Sequence, residues 1–362
     1  MNLLEEVRSG PDRYISNKGC LNQLPKYLTN FKNGAIITGN KSFNAFKNYY
    51  KNEIPYKHYV YDATASEENA KELSDNIKSA DVILGIGGGA VIDTAKLVAK
   101  NLNAPLIVIP TIVSNCAPYA SISAIYTPQH EFKKMGSFEN SPYITLVDLE
   151  FLIKTPKQYF IAGIGDTLAK WYECEIILRN LPIEYKTATV KYGFAAARLC
   201  FDTLITDSYS AIKELEDGNS SHYFARVSDV IISIAGCVGG FACKYGRVAG
   251  AHAIHNGLSL LHNTHSVLHG NKVAYGILVQ LSYTNDFSEV LMLLQFYREI
   301  GLPTSLTQLN LPNCTYKDLQ CVAEFAAKPE ETFNIIDKDI TPQKILQAIK
   351  KLEEFVKKDE MR

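Results

Sequence analysis

Residues 82–96 read Val82-Ile83-Leu84-Gly85-Ile86-Gly87-Gly88-Gly89-Ala90-Val91-Ile92-Asp93-Thr94-Ala95-Lys96. The apolar run predicts a buried strand, the glycines a tight turn, and the residues after them a helix. Glycine has no Cβ, so the backbone can approach a phosphate closely, and the start of a helix offers free N–H groups and a positive dipole end. The segment therefore predicts a phosphate-binding turn for a dinucleotide. A tight turn without a ligand is the alternative.

Two side chains on the predicted helix have simpler interpretations. Asp93 lies on the first turn, where an acidic residue compensates the helix dipole. Lys96 is interpreted as a solvated surface residue. The glycines do not follow the G-x-G-x-x-G pattern of ordinary dinucleotide-binding enzymes, so such an enzyme is not the first expectation.

Short apolar runs recur on both sides of this segment. They cover residues 35–38, 57–61, 82–86, 106–110 and 144–148, and helical patterns lie between them at residues 66–79 and 90–101. Strands that alternate with helices predict a parallel sheet covered on both faces.

The pattern changes after about residue 155. Long helical patterns dominate there, at residues 163–180, 184–205, 223–245, 288–300 and 342–358. We therefore predict an α/β domain over residues 1–155 followed by an all-helical domain over residues 156–362.

Composition excludes several classes of protein. The 362 residues carry 37 basic and 38 acidic side chains, so the excess of positive charge typical of nucleic-acid binding is absent. No run approaches the roughly 20 apolar residues of a membrane span, and the first residues are acidic where a signal peptide is basic. The 8 cysteines show no C-x-x-C spacing. We expect a cytoplasmic protein that binds neither nucleic acid nor membrane.

Histidine is distributed unevenly along the chain. Five of the 8 histidines fall between positions 252 and 269, namely His252, His255, His262, His265 and His269. Such clustering indicates a functional site, because isolated histidines more often occupy surface or core positions without a ligand.

Six motifs follow one another along nearly the whole chain. They are Gly87-Gly88-Gly89-x-x-x-Asp93-x-Ala95-Lys96 and residues 110–118, 123–126, 163–171, 251–257 and 269–276. Together they resemble the metal-dependent (group III, iron-containing) alcohol dehydrogenases, and most closely their glycerol dehydrogenase-like branch. The resemblance implies an N-terminal Rossmann-like α/β domain and an all-helical C-terminal domain, the architecture shared with dehydroquinate synthases. It also implies an active site in the cleft between them and a homo-oligomer.

The resemblance implies a metal site at Asp166, His252 and His269. Two imidazoles and a carboxylate suit a divalent ion and leave positions open for a substrate oxygen. The iron enzymes typically add a histidine four residues after the aspartate, but Lys170 stands there, so we expect Zn²⁺ rather than iron. His255 is expected near the substrate, either as a proton relay or as support for a ligand, and His262 and His265 are expected in a loop.

The resemblance also implies NAD(P) as cofactor. The cofactor-binding candidates are Gly39, Lys41, Gly87, Gly88, Gly89, Asp93, Thr111, Ser114, Ser123 and Tyr126. No acid follows the strand at residues 35–38, whereas Lys41 and Ser42 suit a 2′-phosphate, so we predict that NADP(H) is accepted. Ordinary surface charge is the alternative for Lys41.

Two residues bear on the substrate. Glycerol dehydrogenases carry an acidic residue where this chain has Cys116, and the loss of that charge removes repulsion toward an anion. Arg247 lies five residues before His252 and suits a carboxylate, or is simply a solvated arginine. The two residues favour a 2-hydroxy acid and 2-oxo acid pair as the small-molecule substrate.

Three functions stay open on these grounds. The first is a metal-dependent NAD(P) oxidoreductase acting on a small alcohol, polyol or 2-hydroxy acid, with glycerol as the alternative substrate. The second is a dehydroquinate synthase-like cyclase that uses NAD only transiently. The third is an inactive binding protein, which the retained Asp166, His252 and His269 disfavour.

Overall fold

The computed structural model describes residues 6–129 and 131–361. Residues 1–5, which carry most of the argument against a signal peptide, lie outside these ranges. The strands of the described residues are β1 Arg13–Asn17, β2 Gly34–Thr38, β3 Lys57–Val60, β4 Val82–Gly87, β5 Leu106–Pro110, β6 Ile122–Tyr126, β7 Phe132–Ser137 and β8 Ile144–Asp148. The α-helices among and directly after them are α1 Leu24–Leu28, α2 Asn40–Tyr49, α3 Glu67–Ile77, α4 Gly89–Asn101 and α5 Leu149–Leu152.

Six of these strands form one parallel sheet in the order β1-β8-β5-β4-β2-β3. Every residue of β4, β5 and β8 is buried, because helices cover both faces of the sheet. Alternate residues of one strand enter different cores: Leu84 packs in one apolar cluster and Ile83 in another. The predicted parallel α/β sheet is confirmed.

The sequence reading missed three strands. β1 is an edge strand beside β8, and its short, half-exposed segment Arg13–Asn17 carries little apolar signal. β6 and β7 form an antiparallel hairpin outside the main sheet. β7 is exposed and contains two lysines, which strand patterns seldom favour.

The rest of the chain is helical, as predicted. Its α-helices are α6 Lys157–Asn180, α7 Ala188–Glu216, α8 His222–Asp229, α9 Ala235–Phe241, α10 Gly250–Leu258, α11 His269–Tyr283, α12 Phe287–Ile300, α13 Tyr316–Ala326 and α14 Pro342–Glu360. Their buried faces form one large apolar core that includes Leu168, Ile254, Tyr275 and Leu352.

The helix predicted over residues 223–245 is present as one continuous stretch, but it is shorter, His222–Phe241. A π-helical segment, Val230–Ile234, joins α8 to α9 within it, and α9 ends at Phe241. Cys243 then adopts a positive φ of 52°. A tertiary contact accompanies this end: Arg8 N donates to Gly240 O at 2.9 Å, and a Cβ on Gly240 would lie 2.1 Å from Arg8 O.

By length and composition, one helical stretch of the described residues, His222–Phe241, could cross a membrane. Inside the fold, however, 67% of its most apolar window is buried. A core helix of a soluble protein passes the same test, so the stretch is weak evidence for a membrane span.

Candidate active site

The carboxyl ends of β2, β4 and β5 share one edge of the sheet, because these strands are parallel neighbours. Ligands of open α/β sheets bind at this edge. Thr111 N donates to Gly87 O at 3.1 Å, which joins the ends of β5 and β4. Thr38 Oγ1 donates to Ile86 O at 2.7 Å, which joins β2 to β4 just before Gly39. Predicted cofactor-binding residues from three separate segments, at the ends of β2, β4 and β5, therefore lie side by side at this edge.

The glycine turn has a packing reason as well as a binding one. A Cβ on Gly87 would lie 2.4 Å from Val91 Cβ, so α4 can pack against β4 only if this residue is glycine. Gly88 precedes α4 without any side-chain cap, and the first N–H groups of this 13-residue helix remain available. These donors fit a pyrophosphate, as the sequence predicted.

Asp93 and Lys96 form a buried ion pair. Their exposed fractions are 8% and 4%, and Lys96 Nζ lies 3.2 Å from Asp93 Oδ1. Lys96 also donates to Ile122 O at 2.6 Å, and Ala124 N donates to Asp93 Oδ2 at 3.2 Å. The pair thus fastens β6 to α4, and the interpretation of Lys96 as solvated is wrong. Burial raises the pKa of Asp93, although Lys96 opposes that rise.

The remaining cofactor candidates surround this turn. Ser123, which is 1% exposed, lies on β6 with its Oγ 3.5 Å from Asp93 O. Tyr126 ends β6 and is held by its N–H to Ala65 O at 3.0 Å. Gly39 N donates to Ser42 Oγ at 3.0 Å at the start of α2, and Lys41 beside it is exposed.

Three helices bring the predicted metal ligands together. Asp166 lies in α6, His252 in α10 and His269 at the start of α11, and one ligand atom from each lies within 4.8 Å of the others. Asp166 Oδ1 is 3.4 Å from His252 Nε2 and 3.3 Å from His269 Nε2. That oxygen is buried and has no hydrogen-bond partner of good geometry. A carboxylate oxygen and two ring nitrogens that converge in this way fit a divalent cation.

Glycines allow the helices to approach closely enough for this arrangement. A Cβ on Gly270 would lie 1.8 Å from Ala162 O, so α11 contacts the backbone of α6 directly. A Cβ on Gly276 would lie 2.3 Å from Ala251 O, so α11 is equally close to α10. The metal ligands lie beside these contacts, and the separation of the helices sets the separation of the ligands.

Glu173 orients His252, and the sequence analysis missed it. Its Oε2 accepts from His252 Nδ1 at 2.8 Å, while Oε1 accepts from the backbone N–H groups of Ala249 at 2.6 Å and His252 at 3.0 Å. A proton on Nδ1 leaves Nε2 to face Asp166 as a ligand. The signal in the sequence is spacing, because Glu173 follows Asp166 by two helical turns and shares its face of α6.

His255 contacts a predicted ligand rather than open solvent. Its Nε2 lies 2.9 Å from His269 Nδ1, and its Nδ1 lies 2.9 Å from Asn256 Oδ1. Since His269 turns Nε2 toward Asp166, His269 Nδ1 carries the proton and donates to His255, which in turn donates to Asn256. Asn256 Nδ2 donates to Glu331 Oε2 at 3.0 Å. This ordered chain supports His269, and a relay role for His255 stays a prediction.

The charges of this cluster follow from its burial. Burial works against the carboxylate of Asp166, but His269 and His252 outweigh it and hold its pKa well below the ordinary value. Burial likewise opposes the charged form of His252, yet Glu173 and Asp166 raise its pKa to about 9. Because a ligating imidazole must be neutral, a divalent ion bound here would compete with that proton. Burial of its ring, and to a smaller extent the neighbouring basic side chains, lower the pKa of His255 well below the usual range and keep it neutral.

The loop after β5 leads from the edge of the sheet where the dinucleotide is predicted to bind to the helices that carry the predicted metal ligands. A Cβ on Gly163 of α6 would lie 3.0 Å from Ser114 Cα, so the loop packs directly against that helix. Cys116, two residues further on, is close enough to Asp166 and Lys170 for their charges to act on its thiol, although burial is the main cause of its raised pKa. The loop thus brings Cys116 within range of the charges of Lys170 and Asp166.

Arg247 approaches the same region from the helical part. It is half-buried, and its charge also interacts with Cys116. Its Nε is buried without a partner, and no hydrogen bond or ion pair within residues 6–129 and 131–361 involves the guanidinium. Burial lowers the pKa of Arg247. His262 and His265, in contrast, are exposed in the turn before α11, as expected of loop residues.

Comparison with known proteins shows which family shares this fold and these predicted metal-ligating residues. The sequence profile described as "Iron-containing alcohol dehydrogenase" matches residues 11–149. Hydroxycarboxylate dehydrogenase A of Escherichia coli strain K12 is 33% identical over 356 residues, which are 96% of this chain and 97% of that protein. Glycerol dehydrogenase of Thermotoga maritima is 33% identical over 361 residues, covering 95% and 96% of the two chains. The solved glycerol dehydrogenase of Schizosaccharomyces pombe superposes with a TM-score of 0.86 at 29% identity, covering 98% of this chain and 92% of that one.

A Rossmann-like sheet joined to helices that carry a possible metal site is compatible with an NAD(P)-linked, metal-dependent enzyme. The chain belongs to the iron-containing alcohol dehydrogenase family, in its glycerol dehydrogenase-like branch. It is thus a dehydrogenase acting on an alcohol or hydroxy acid, and membership implies a divalent metal and NAD(P). The predicted family, fold and enzyme class are confirmed.

Glu173→Gln tests the role assigned to the carboxylate that orients His252. We expect the affinity for Zn²⁺ to fall by about 10- to 100-fold, because a neutral amide supports the imidazole less well. Metal titration of the chelator-treated protein measures it. Glu175→Gln is the matched control on the same helix, since Glu175 pairs with Arg179 away from the metal ligands. Equal affinities for both variants would contradict the assignment.

Proposed function

We propose that this enzyme interconverts a 2-hydroxycarboxylate and the corresponding 2-oxocarboxylate. The observation that carries the proposal is Arg247, whose guanidinium has a buried Nε and no partner within the described residues. Leaving a buried charged donor unsatisfied is costly, and a substrate carboxylate would satisfy it through two parallel hydrogen bonds. An electrostatic interaction between Arg247 and Cys116 supports a position of Arg247 near the predicted metal ligands.

Cys116 supports the same substrate. Burial raises the pKa of its thiol, so the side chain is neutral at physiological pH. A neutral side chain at this position does not repel a substrate carboxylate, whereas an acidic side chain would. A thiol is also a weak acceptor for the hydroxyl groups of a polyol.

Two groups of the described residues would hold the metal ion and the coenzyme. Asp166, His252 and His269 would hold the divalent ion, and the amides at the start of α4 would hold the pyrophosphate of the coenzyme. When bound, the ion supplies Lewis-acid polarisation of the substrate oxygen, and the nicotinamide supplies or accepts the hydride. Glu173 and His255 fix the two imidazoles, and Arg247 orients the acid.

We further propose Zn²⁺ as the metal and NADP(H) as an accepted coenzyme. Lys170 follows Asp166 by four residues, and its ammonium cannot serve as a fourth ligand, which favours a three-ligand zinc site. Lys41 is exposed at the start of α2, and no acidic residue lies in the first turn of that helix. A 2′-phosphate would meet a cation there and no repulsion.

A glycerol dehydrogenase is the second candidate. The Thermotoga maritima relative of that name is as similar as the hydroxycarboxylate dehydrogenase, at 33% identity. The metal ligands suit either substrate, so the difference lies with Cys116 and Arg247.

A substrate panel separates the two candidates. Zinc-loaded enzyme is assayed by nicotinamide absorbance with NADPH and NADH against 2-oxobutyrate, 2-oxoglutarate, dihydroxyacetone and simple aldehydes. We expect the highest kcat/KM with a 2-oxo acid, and turnover with NADPH. Dihydroxyacetone turned over far better than every oxo acid would exclude the proposed substrate and favour the glycerol dehydrogenase.

Arg247→Met gives a second test of the substrate. Loss of a charged, bidentate donor should raise KM for 2-oxobutyrate by about 100-fold, with a smaller effect on dihydroxyacetone. Arg179→Met is the control, because Arg179 is exposed and pairs with Glu175 on the outer face of α6. An unchanged KM for the oxo acid would remove Arg247 from the substrate site.

The domain division, compartment and assembly are also proposals. The last strand of the sheet ends at Asp148 and α6 begins at Lys157, which supports a division near residue 155. All 8 cysteines are free, which supports a reducing, cytoplasmic location. Tyr192 and Leu199 on α7 are more than 45% exposed, and such apolar exposure supports a homo-oligomer.

A further inference from the structure

Lys170 is a second cation beside the metal cluster. It follows Asp166 by one helical turn on α6, so both side chains lie on the same face of the helix. Its Nζ donates one hydrogen bond, to Arg247 O at 3.1 Å. No carboxylate lies within ion-pair distance of it among residues 6–129 and 131–361. An ammonium has three N–H donors, so two of them are left for another acceptor.

The surroundings of Lys170 keep it charged. Burial disfavours the ammonium, but the acidic groups around it, which include the carboxylates of Asp166 and Glu173, outweigh burial and raise the pKa of Lys170. The two carboxylates are already engaged, since Asp166 faces His252 and His269 and Glu173 accepts from His252. A half-buried cation next to a predicted site for a divalent cation is unfavourable unless an anion is bound there as well.

Lys170 and Arg247 are joined at one point. The ammonium of Lys170 donates to the backbone carbonyl of Arg247, and among the described residues the guanidinium of Arg247 has no partner. The two cations are therefore neighbours, and Lys170 shares its face of α6 with the predicted metal ligand Asp166. A single carboxylate can accept from both of them at once, because each of its oxygens has two lone pairs.

We infer that Lys170 is a specificity-determining residue that holds the substrate carboxylate jointly with Arg247. The inference rests on the proposed function and deepens it. The Cβ atoms of Lys170 and Asp166 are about 5–6 Å apart on one face of the helix. This closeness to the predicted metal ligands suits a substrate whose carboxylate is attached to the carbon next to the reacting carbonyl. The site selects 2-oxo acids over acids in which the two groups are further apart.

Lys170→Met tests the inference in the full-length, zinc-loaded enzyme with NADPH. KM for 2-oxobutyrate should rise by about 10- to 100-fold, the usual effect of losing a hydrogen bond to a charged group. The rise for dihydroxyacetone should be smaller, because that substrate has no carboxylate. Wild-type enzyme should also prefer 2-oxobutyrate to 4-oxopentanoate, and Lys170→Met should reduce this preference.

Two further measurements separate binding from structure. Oxamate, an unreactive isostere of a 2-oxo acid, should bind Lys170→Met less tightly than wild type by calorimetry, and Lys170→Arg should recover part of the affinity. Lys191→Met is the matched control, because Lys191 is exposed on α7, and its KM and oxamate affinity should equal those of wild type.

The outcomes distinguish this inference from the proposed function. If wild type reduces no 2-oxo acid, the proposed function fails and Lys170 loses its substrate. If wild type reduces 2-oxobutyrate and Lys170→Met has the same KM and oxamate affinity, the function stands and the inference is overturned. Equal losses with 2-oxobutyrate and dihydroxyacetone, together with a lower unfolding temperature, also overturn it, because they indicate a structural lysine.

Discussion

Replacing Asp166 with asparagine should lower kcat/KM by about a thousand-fold or more, because the substrate oxygen loses Lewis-acid polarisation worth several kcal/mol. Asp166 Oδ1 lies between the two imidazole Nε2 atoms, at 3.4 and 3.3 Å, and provides the single negative charge among the three ligands. A neutral amide oxygen at this position binds a divalent cation far more weakly.

The measurement combines metal analysis with kinetics. Chelator-treated wild type should lose turnover and regain it with Zn²⁺, whereas Asp166→Asn should contain little metal and regain nothing. Asp202→Asn is the control, because Asp202 is an exposed aspartate paired with Arg198. An Asp166→Asn protein with a full equivalent of bound metal and wild-type kcat/KM would refute the proposed metal centre.

Gly270→Ala should also have a large effect, on stability and on the affinity for Zn²⁺, although Gly270 has no side chain that could bind metal or substrate. Its new Cβ would lie 1.8 Å from Ala162 O, so α11 must move away from α6. Overpacking of this kind costs about 3 kcal/mol, since the atom it meets is backbone and cannot turn aside. His269 precedes position 270 on α11 and Asp166 lies on α6, so the same movement separates two metal ligands.

Thermal unfolding and zinc titration measure the two consequences of Gly270→Ala. The unfolding temperature and the affinity for Zn²⁺ should both fall. Gly239→Ala is the control, because a Cβ there would be 3.5 Å from Arg247 Cγ, an ordinary contact, and it should change stability by no more than about 0.5 kcal/mol. A Gly270→Ala protein as stable as wild type would show that α6 and α11 can separate without cost.

Local periodicity predicted the main sheet well. The strands that it places at residues 106–110 and 144–148 coincide with β5 and β8, because strands buried on both faces are continuous apolar runs. The segments it missed lack that signal. β1 gains its place by pairing with β8 along an edge, and the β6–β7 hairpin is fastened to α4 through Lys96 and Ile122 O.

The environment of single charged residues was less predictable. The sequence predicts a solvated Lys96, but Lys96 is buried, since its partners Asp93 and Ile122 lie on different elements. The motifs predict no role for Glu173, although it makes the hydrogen bond that fixes His252. A charged residue has no periodic pattern to reveal its partner, so its role depends on which elements meet around it.

The sequence alone determined the class of this protein. The glycine turn at residues 85–89, the alternation of strands and helices, and the motifs around Asp166, His252 and His269 identified the family and its fold. These features are local or follow a short repeat, and they can be seen without knowing how the chain is packed.

Tertiary structure decided how the ligands meet and what surrounds them. Asp166 lies 86 positions before His252, and only the glycine contacts between α6, α10 and α11 bring their side chains together. Within the described residues the guanidinium of Arg247 has no partner and Lys170 donates one hydrogen bond, and neither fact can be known before the neighbouring acceptors are placed. Hydrogen bonding and burial depend on distances between remote segments, and those distances exist only in the folded chain.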